Sequence, residues 1–218
     1  MNDTNTQTAR WRRRPEERTP EILAAALECF AKGGFAGTRM DDVAAAAGVT
    51  KGTLYLYFPN KQALFEAVVR GAMLPVLDMA QEHIAQSRAS ASELLEWMLQ
   101  RWQETSLPAQ CAITKIIIAE AGSFPDLARF YLDEVVTRGM RMVRSIIQLG
   151  IARGEFRAVD IENATRSVVW PMLMASLWTQ SLGIYAEQID LSAFRKSHYD
   201  MLLRGLLDDG AAKRTSHE

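Results

Sequence analysis

The stretch AAAAGVTKGTLYLYFPNKQALF, residues 44–65, decides how this chain is read. An alanine run stops at Gly48, Thr50 follows, and Tyr55, Tyr57 and Phe58 then crowd between Lys51 and Lys61. Met40, Val43, Ala44 and Ala47 form the inner side of one helix, and its small residues allow another helix to cross closely. Gly48 can adopt the left-handed conformation that turns the chain, and Val49 can plug the corner. Thr50 offers a cap for a second helix through Phe58, with Leu54 and Phe58 on its inward face. Two helices joined by a short Gly-containing turn make a helix-turn-helix, whose second member can enter a DNA major groove. The polar start of that helix then faces outward. Lys51 and Thr53 can reach base edges, and Gly52 lets the backbone come close.

The flanking residues complete a small bundle. Thr19-Pro20 reads as a helix start, Ile22, Ala26, Cys29 and Phe30 as its apolar face, and Gly33-Gly34 as its end. Thr38 with Asp41 three places on reads as a capping box in short form. Pro59-Asn60 closes the reading helix, and Lys61 opens a fourth helix through about Arg70, with Leu64, Phe65 and Val68 inward. Residues 1–18 are polar and Arg-rich, with arginine at four of the five positions from Arg10 to Arg14, and read as a flexible arm.

Beyond residue 70 the chain reads as helix over 71–88, 92–106, 109–120, 125–150, 160–184 and 191–208, with the short run IIIA at 116–119 also helical. The expected class is all-α: an N-terminal three-helix domain with the helix-turn-helix, then a larger helical domain. The expected divisions are an arm at 1–18, a DNA-binding domain at 19–65, a sensing and dimerisation domain at 66–210 and a tail at 211–218.

A net charge of -1 argues against indiscriminate binding to polyanions, yet residues 1–70 carry ten Lys and Arg against eight Asp and Glu. Two cysteines give no disulfide framework and no metal-ligand spacing, and no leader or spanning segment is visible, so a cytoplasmic protein without membrane contact is expected. Scattered histidines and the lack of HExxH, CxxC, GxSxG, phosphate-loop or dinucleotide patterns argue against an enzyme, a metal site or a cofactor.

The segment GTRMDDVAAAAGVTKGTLYLYFPNKQALFEAVV, residues 37–69, strongly resembles the DNA-binding domain of the TetR family of transcriptional regulators. The phrases AEAGSFPDLARFY and GIARGEFR also look like that family's C-terminal domains. The resemblance implies an all-helical homodimer, most simply a repressor released from a near-palindromic operator by a small ligand. A ligand-dependent activator or corepressor-requiring regulator has the same fold, and a protein-interaction module with a vestigial helix-turn-helix is the reading from another class. Carried over by position, Lys51, Gly52 and Thr53 match base-reading positions, and Leu56 and Tyr57 match positions that meet bases or backbone. Thr38, Thr50, Tyr55 and Lys61 match phosphate-contacting positions. Arg12, Arg13 and Arg14 are candidates for further contacts from the arm.

Eight of the ten methionines and four of the five tryptophans lie after residue 70. Trp97, Met98, Trp102, Trp170, Met174 and Trp178, with Glu120 as a polar anchor, are the candidate lining of an apolar or amphipathic ligand pocket. The same stripe also suits an ordinary core or a dimer seam. Leu191, Phe194, His198, Met201 and Leu202 are the candidate dimer face on the last helix, by family analogy. The expected partners are operator DNA, a small effector and a second copy of the chain.

Overall fold

The computed structural model describes residues 15–105, 108–186 and 188–207. Arg12, Arg13, Arg14 and the 211–218 tail lie outside the described residues. The described chain is all-α. Its helices are α1 (Pro15–Gly37), α2 (Met40–Ala46), α3 (Lys51–Tyr57), α4 (Lys61–Gln86), α5 (Ala91–Thr105), α6 (Pro108–Glu120), α7 (Pro125–Tyr131), α8 (Thr137–Ala152), α9 (Ile161–Thr179) and α10 (Leu191–Leu206). A π turn, Leu132–Val136, joins α7 to α8, and a 3-10 turn, Leu182–Tyr185, follows α9.

Four elements differ from the sequence expectation. The first helix starts at Pro15, within the stretch expected as an arm and ahead of Thr19-Pro20, and its path breaks at Gly34, so residues 34–39 form the α1–α2 turn. The helices expected at 61–70 and 71–88 are one helix, α4. Gly71 is no terminator there: a Cβ on it would lie 3.6 Å from Leu23 Cδ1, so it marks where α1 packs closely. The 125–150 segment is interrupted by the π turn. The 160–184 segment ends at Thr179, although Pro171 lies inside α9 without ending it. Residues 116–119 are helical, with Ile116 and Ile117 buried and Ile118 exposed.

Two apolar cores organise the packing. The first joins α1–α4 to α6 and α7 through Ile22, Phe30, Leu54, Phe65, Ile113 and Tyr131, among others. The second joins α5, α8, α9 and α10 around Leu94, Leu99, Ile146, Ile147 and Met172. The helix-turn-helix therefore shares its core with α6 and α7. Phe30 meets Phe65 edge-on at 4.9 Å, Phe65 meets Phe35 at 5.4 Å, and Phe35 meets Phe124 at 4.8 Å. Each such ring pair adds about 0.5–1.5 kcal/mol beyond area burial, so this chain of rings ties α1 and α4 to the start of α7.

Candidate nucleic-acid interface

The turn between α2 and α3 forms as the sequence dictates. Gly48 has φ 64°, and Val49 N–H donates to the Ala44 carbonyl at 3.0 Å. Thr50 caps α3: its Oγ1 accepts from Thr53 N–H at 3.1 Å and pairs with the Thr53 hydroxyl at 2.8 Å. Leu54 is fully buried and Phe58 nearly so, which seats α3 on the bundle. The opposite side of α3 is open. Lys51, Gly52 and Tyr55 are exposed, and Leu56 is 86% exposed. Tyr57 is half-buried against the first core, in contact with Phe58 at 6.4 Å between ring centroids.

Gly52 has no structural reason to be glycine. It lacks the positive φ of Gly48, and a Cβ there would meet only Thr50 Oγ1 at 3.9 Å. A glycine inside a helix is destabilising by about 0.5–1 kcal/mol relative to alanine. Nothing in the described fold therefore calls for a bare backbone at Gly52.

Beside α3 lies a groove of about 460 Å³, lined in part by Thr38, Arg39, Asp41, Lys51, Tyr55 and Lys61. Its charges are not all free. The Lys51 ammonium sits 2.8 Å from Asp41 Oδ1 and 3.1 Å from Oδ2, and this hydrogen-bonded carboxylate pushes the Lys51 pKa above its ordinary value. Both partners are exposed, so the pair is weak and readily exchanged for another. Lys61 donates to the carbonyls of Ala36 at 3.0 Å and Thr38 at 2.9 Å, and its ammonium lies 4.8 Å from the Phe35 ring centroid. Two of its three N–H groups are thus taken within the fold.

Thr38 departs from expectation. It is buried, and its hydroxyl donates to the Gly34 carbonyl at 2.7 Å with the Cys29 carbonyl 3.1 Å away. Its hydroxyl is taken by carbonyls of α1, so it does not cap α2, although Thr38 still lines the groove. The cap position of α2 is Arg39 instead, with no side-chain capping bond. Arg39 is exposed, lines the groove and makes no ion pair among the described residues. Sequence reading passed over it. The signal was its place beside Thr38, and the one-residue later start of α2 is what turns it to the groove.

The candidate pocket residues do not converge. Trp97 stacks on His83 at 3.9 Å and lines a cleft of about 260 Å³ between α4 and α5, with Met79, Gln100, Arg101 and Glu104. Met98 is buried in the second core, and Trp102 packs against it. Trp170 and Met174 stand 58% and 61% exposed on the outer face of α9, with Trp178 one turn further on. Their four-residue spacing puts them on one face, which looks outward from the core. Glu120 is also elsewhere: its carboxylate accepts from Phe35 N–H at 2.7 Å and Ala36 N–H at 2.8 Å.

On α10, Met201 is exposed, while Phe194 and Leu202 pack against the second core and Leu191 is half-buried. His198 is buried within its own subunit, its Nε2 3.3 Å from the Val168 carbonyl, and burial pushes its pKa down. It faces α9 of the same chain, which removes it from the expected dimer face.

Known proteins match this arrangement along most of the chain. The family model for bacterial regulatory proteins of the tetR family matches residues 22–68, and the model for the AefR-like transcriptional repressor C-terminal domain matches 92–196. The chain is 25% identical over 191 residues to the transcriptional repressor KstR2 of Rhodococcus jostii, covering 87% of this chain and 91% of that protein. It is 53% identical to the transcriptional regulator RutR of Escherichia coli over 49 residues, 22% of this chain and 23% of that one. The fatty acid degradation regulator FadR of Bacillus halodurans has a similar fold, with TM-score 0.73 and 22% identity, over 86% of this chain and 98% of that one. No described helix is long and apolar enough to cross a membrane. With the helix-turn-helix and the helical C-terminal domain both matched, the chain belongs to the TetR family of transcriptional regulators.

Proposed function

We propose that this regulator is a homodimeric repressor that sits on a near-palindromic operator until a small molecule releases it. The open face of α3 carries the reading. Lys51, Gly52, Tyr55 and Leu56 are exposed together there, and the bare backbone at Gly52 leaves room for a close approach from outside. Lys51 exchanges Asp41 for a guanine edge, Leu56 offers an apolar contact to a thymine methyl, and Tyr55 and Arg39 take phosphates. Repression, rather than activation, is favoured by the match to the AefR-like transcriptional repressor C-terminal domain and by the likeness to the repressor KstR2.

A point substitution tests the reading directly. Lys51→Ala is expected to weaken operator binding about tenfold without changing the melting temperature, measured by fluorescence anisotropy at matched salt. Equal affinities for the two proteins would remove Lys51 from the base-reading set.

The exposed Trp170, Met174 and Trp178 on α9, together with Met201 on α10, support a dimer face. Such a stripe of large apolar side chains is what a second copy would cover. Met174→Glu should convert the dimer to a folded monomer in sedimentation and sharply reduce operator retention, because each monomer reads only one half-site. A variant that remains dimeric would move the interface elsewhere.

For release, α4 supplies a lever. Its 26 residues carry Lys61, bonded to the α1–α2 turn, at one end and Met79 and His83, in the α4–α5 cleft, toward the other. The cleft's Trp97–His83 stack suits an amphipathic effector with an apolar body, and Arg101 can take an anionic end by exchanging its present partner, Glu104, 2.9 Å away. A molecule wedged there shifts the head only if it binds the released form more tightly.

A further inference from the structure

The α1–α2 turn is held from two sides by helices with different partners. Its carbonyls at Ala36 and Thr38 are taken by Lys61, at the start of α4. Its amides at Phe35 and Ala36 are taken by the two oxygens of one carboxylate, Glu120, the last residue of α6. Two consecutive amides around an anion make a nest, and charge-assisted bonds of this length are stronger than neutral ones. Gly34 gives the nest its shape. Its backbone, φ 69° and ψ -179°, lies where glycine alone is at ease, and a Cβ there would come within 2.5 Å of Glu120 Oε1.

The Phe35 side chain reinforces the joint, stacking edge-on with Phe124, which lies between α6 and α7. Residues 34–36 thus bind the reading head to the C-terminal helices through polar and aromatic contacts at once. Beyond the α4 lever, the head has a second fixed point.

We propose that Glu120 is a positioning residue for operator binding: its carboxylate locks the α1–α2 turn to α6 and so fixes the distance and angle between the two reading heads of a dimer. This rests on the regulator reading above. While the nest is filled, the heads match one half-site spacing. Displacement of the last turn of α6 empties the nest, frees the heads and lowers affinity for the paired site, with the contacts of each α3 to its own half-site intact.

The test uses full-length wild type, Glu120→Ala and Glu120→Gln, and operators drawn from those that the wild type selects, with the half-site spacing varied by single base pairs. Wild type should show one sharp optimum. Glu120→Ala should bind the optimal spacing about tenfold more weakly, tolerate neighbouring spacings better, and keep its affinity for an isolated half-site. Glu120→Gln, which retains one acceptor, should fall between them and carries the test if the alanine variant fails to fold. Amide exchange at Phe35 and Ala36 should quicken in both variants. Faster exchange there with an unchanged spacing profile overturns the inference and leaves Glu120 a local cap. A wild type that selects no site sinks the regulator reading, and this inference with it.

Discussion

Gly52→Leu should melt at or above the wild-type temperature and yet lose operator affinity by about 100-fold or more. The stability half follows from the helix itself. Gly52 has an ordinary helical backbone, and open space surrounds the position where a side chain would go. Leucine is among the better helix formers, while glycine is poorer than alanine by about 1 kcal/mol. The affinity half follows from where that space lies. Gly52 stands between Lys51 and Thr53 on the exposed start of α3, so a leucine there pushes the helix away from any surface it approaches. Two well-placed base contacts are lost together, each contributing about 1–3 kcal/mol of discrimination. Thermal melting and anisotropy on one preparation would check both halves. Unchanged affinity would mean that α3 does not enter a groove at this point.

Gly34→Ala should do the reverse and destabilise the fold by about 3 kcal/mol. Backbone strain in a glycine-only region accounts for about 1–3 kcal/mol of this. Glu120 must also leave its place for the new Cβ: the exposed Ala36 amide then turns to water, while the part-buried Phe35 amide loses a charged acceptor, which adds about 1.5–3 kcal/mol. For a chain of this size the melting temperature should fall by roughly 6–12 °C. Gly37→Ala, where no atom lies within 4 Å of the added Cβ, is the matched control and should change little. A Gly34→Ala variant as stable as the control would show that the turn relaxes without Glu120.

The exposed ion pair beneath Lys51 makes a separate, smaller expectation. Asp41→Asn leaves the Lys51 charge uncompensated in the groove. Binding to non-specific duplex DNA should strengthen, and its logarithmic salt slope should steepen by about one unit. A slope equal to that of wild type would mean that Asp41 does not offset Lys51 near DNA.

What was legible in the sequence is what short-range chemistry encodes. The turn at Gly48, the Thr50 cap and the inward Leu54 and Phe58 depend on neighbours a few residues apart, and all form as read. The all-α class followed in the same way from periodicity. The part Glu120 plays in the turn was not legible because its partners lie 85 and 84 residues away, and no local pattern records such a contact. The cap read at Thr38 failed for a different reason. A threonine ahead of a helix suits a cap, but the Gly34 carbonyl four residues back takes its hydroxyl at 2.7 Å, and α2 starts one residue later. The stripe of Trp170 and Met174 shows the limit of periodicity. Spacing assigns side chains to one face of α9, but that face looks outward from the core, which only packing reveals.

The most direct test is to incubate the pure protein with sheared DNA from its own organism at physiological salt and to sequence what it retains. The account predicts one or a few near-palindromic sites, enriched over bulk DNA and lost by Gly52→Leu. Retention of all fragments alike, falling steeply with salt, or retention of none, would contradict it.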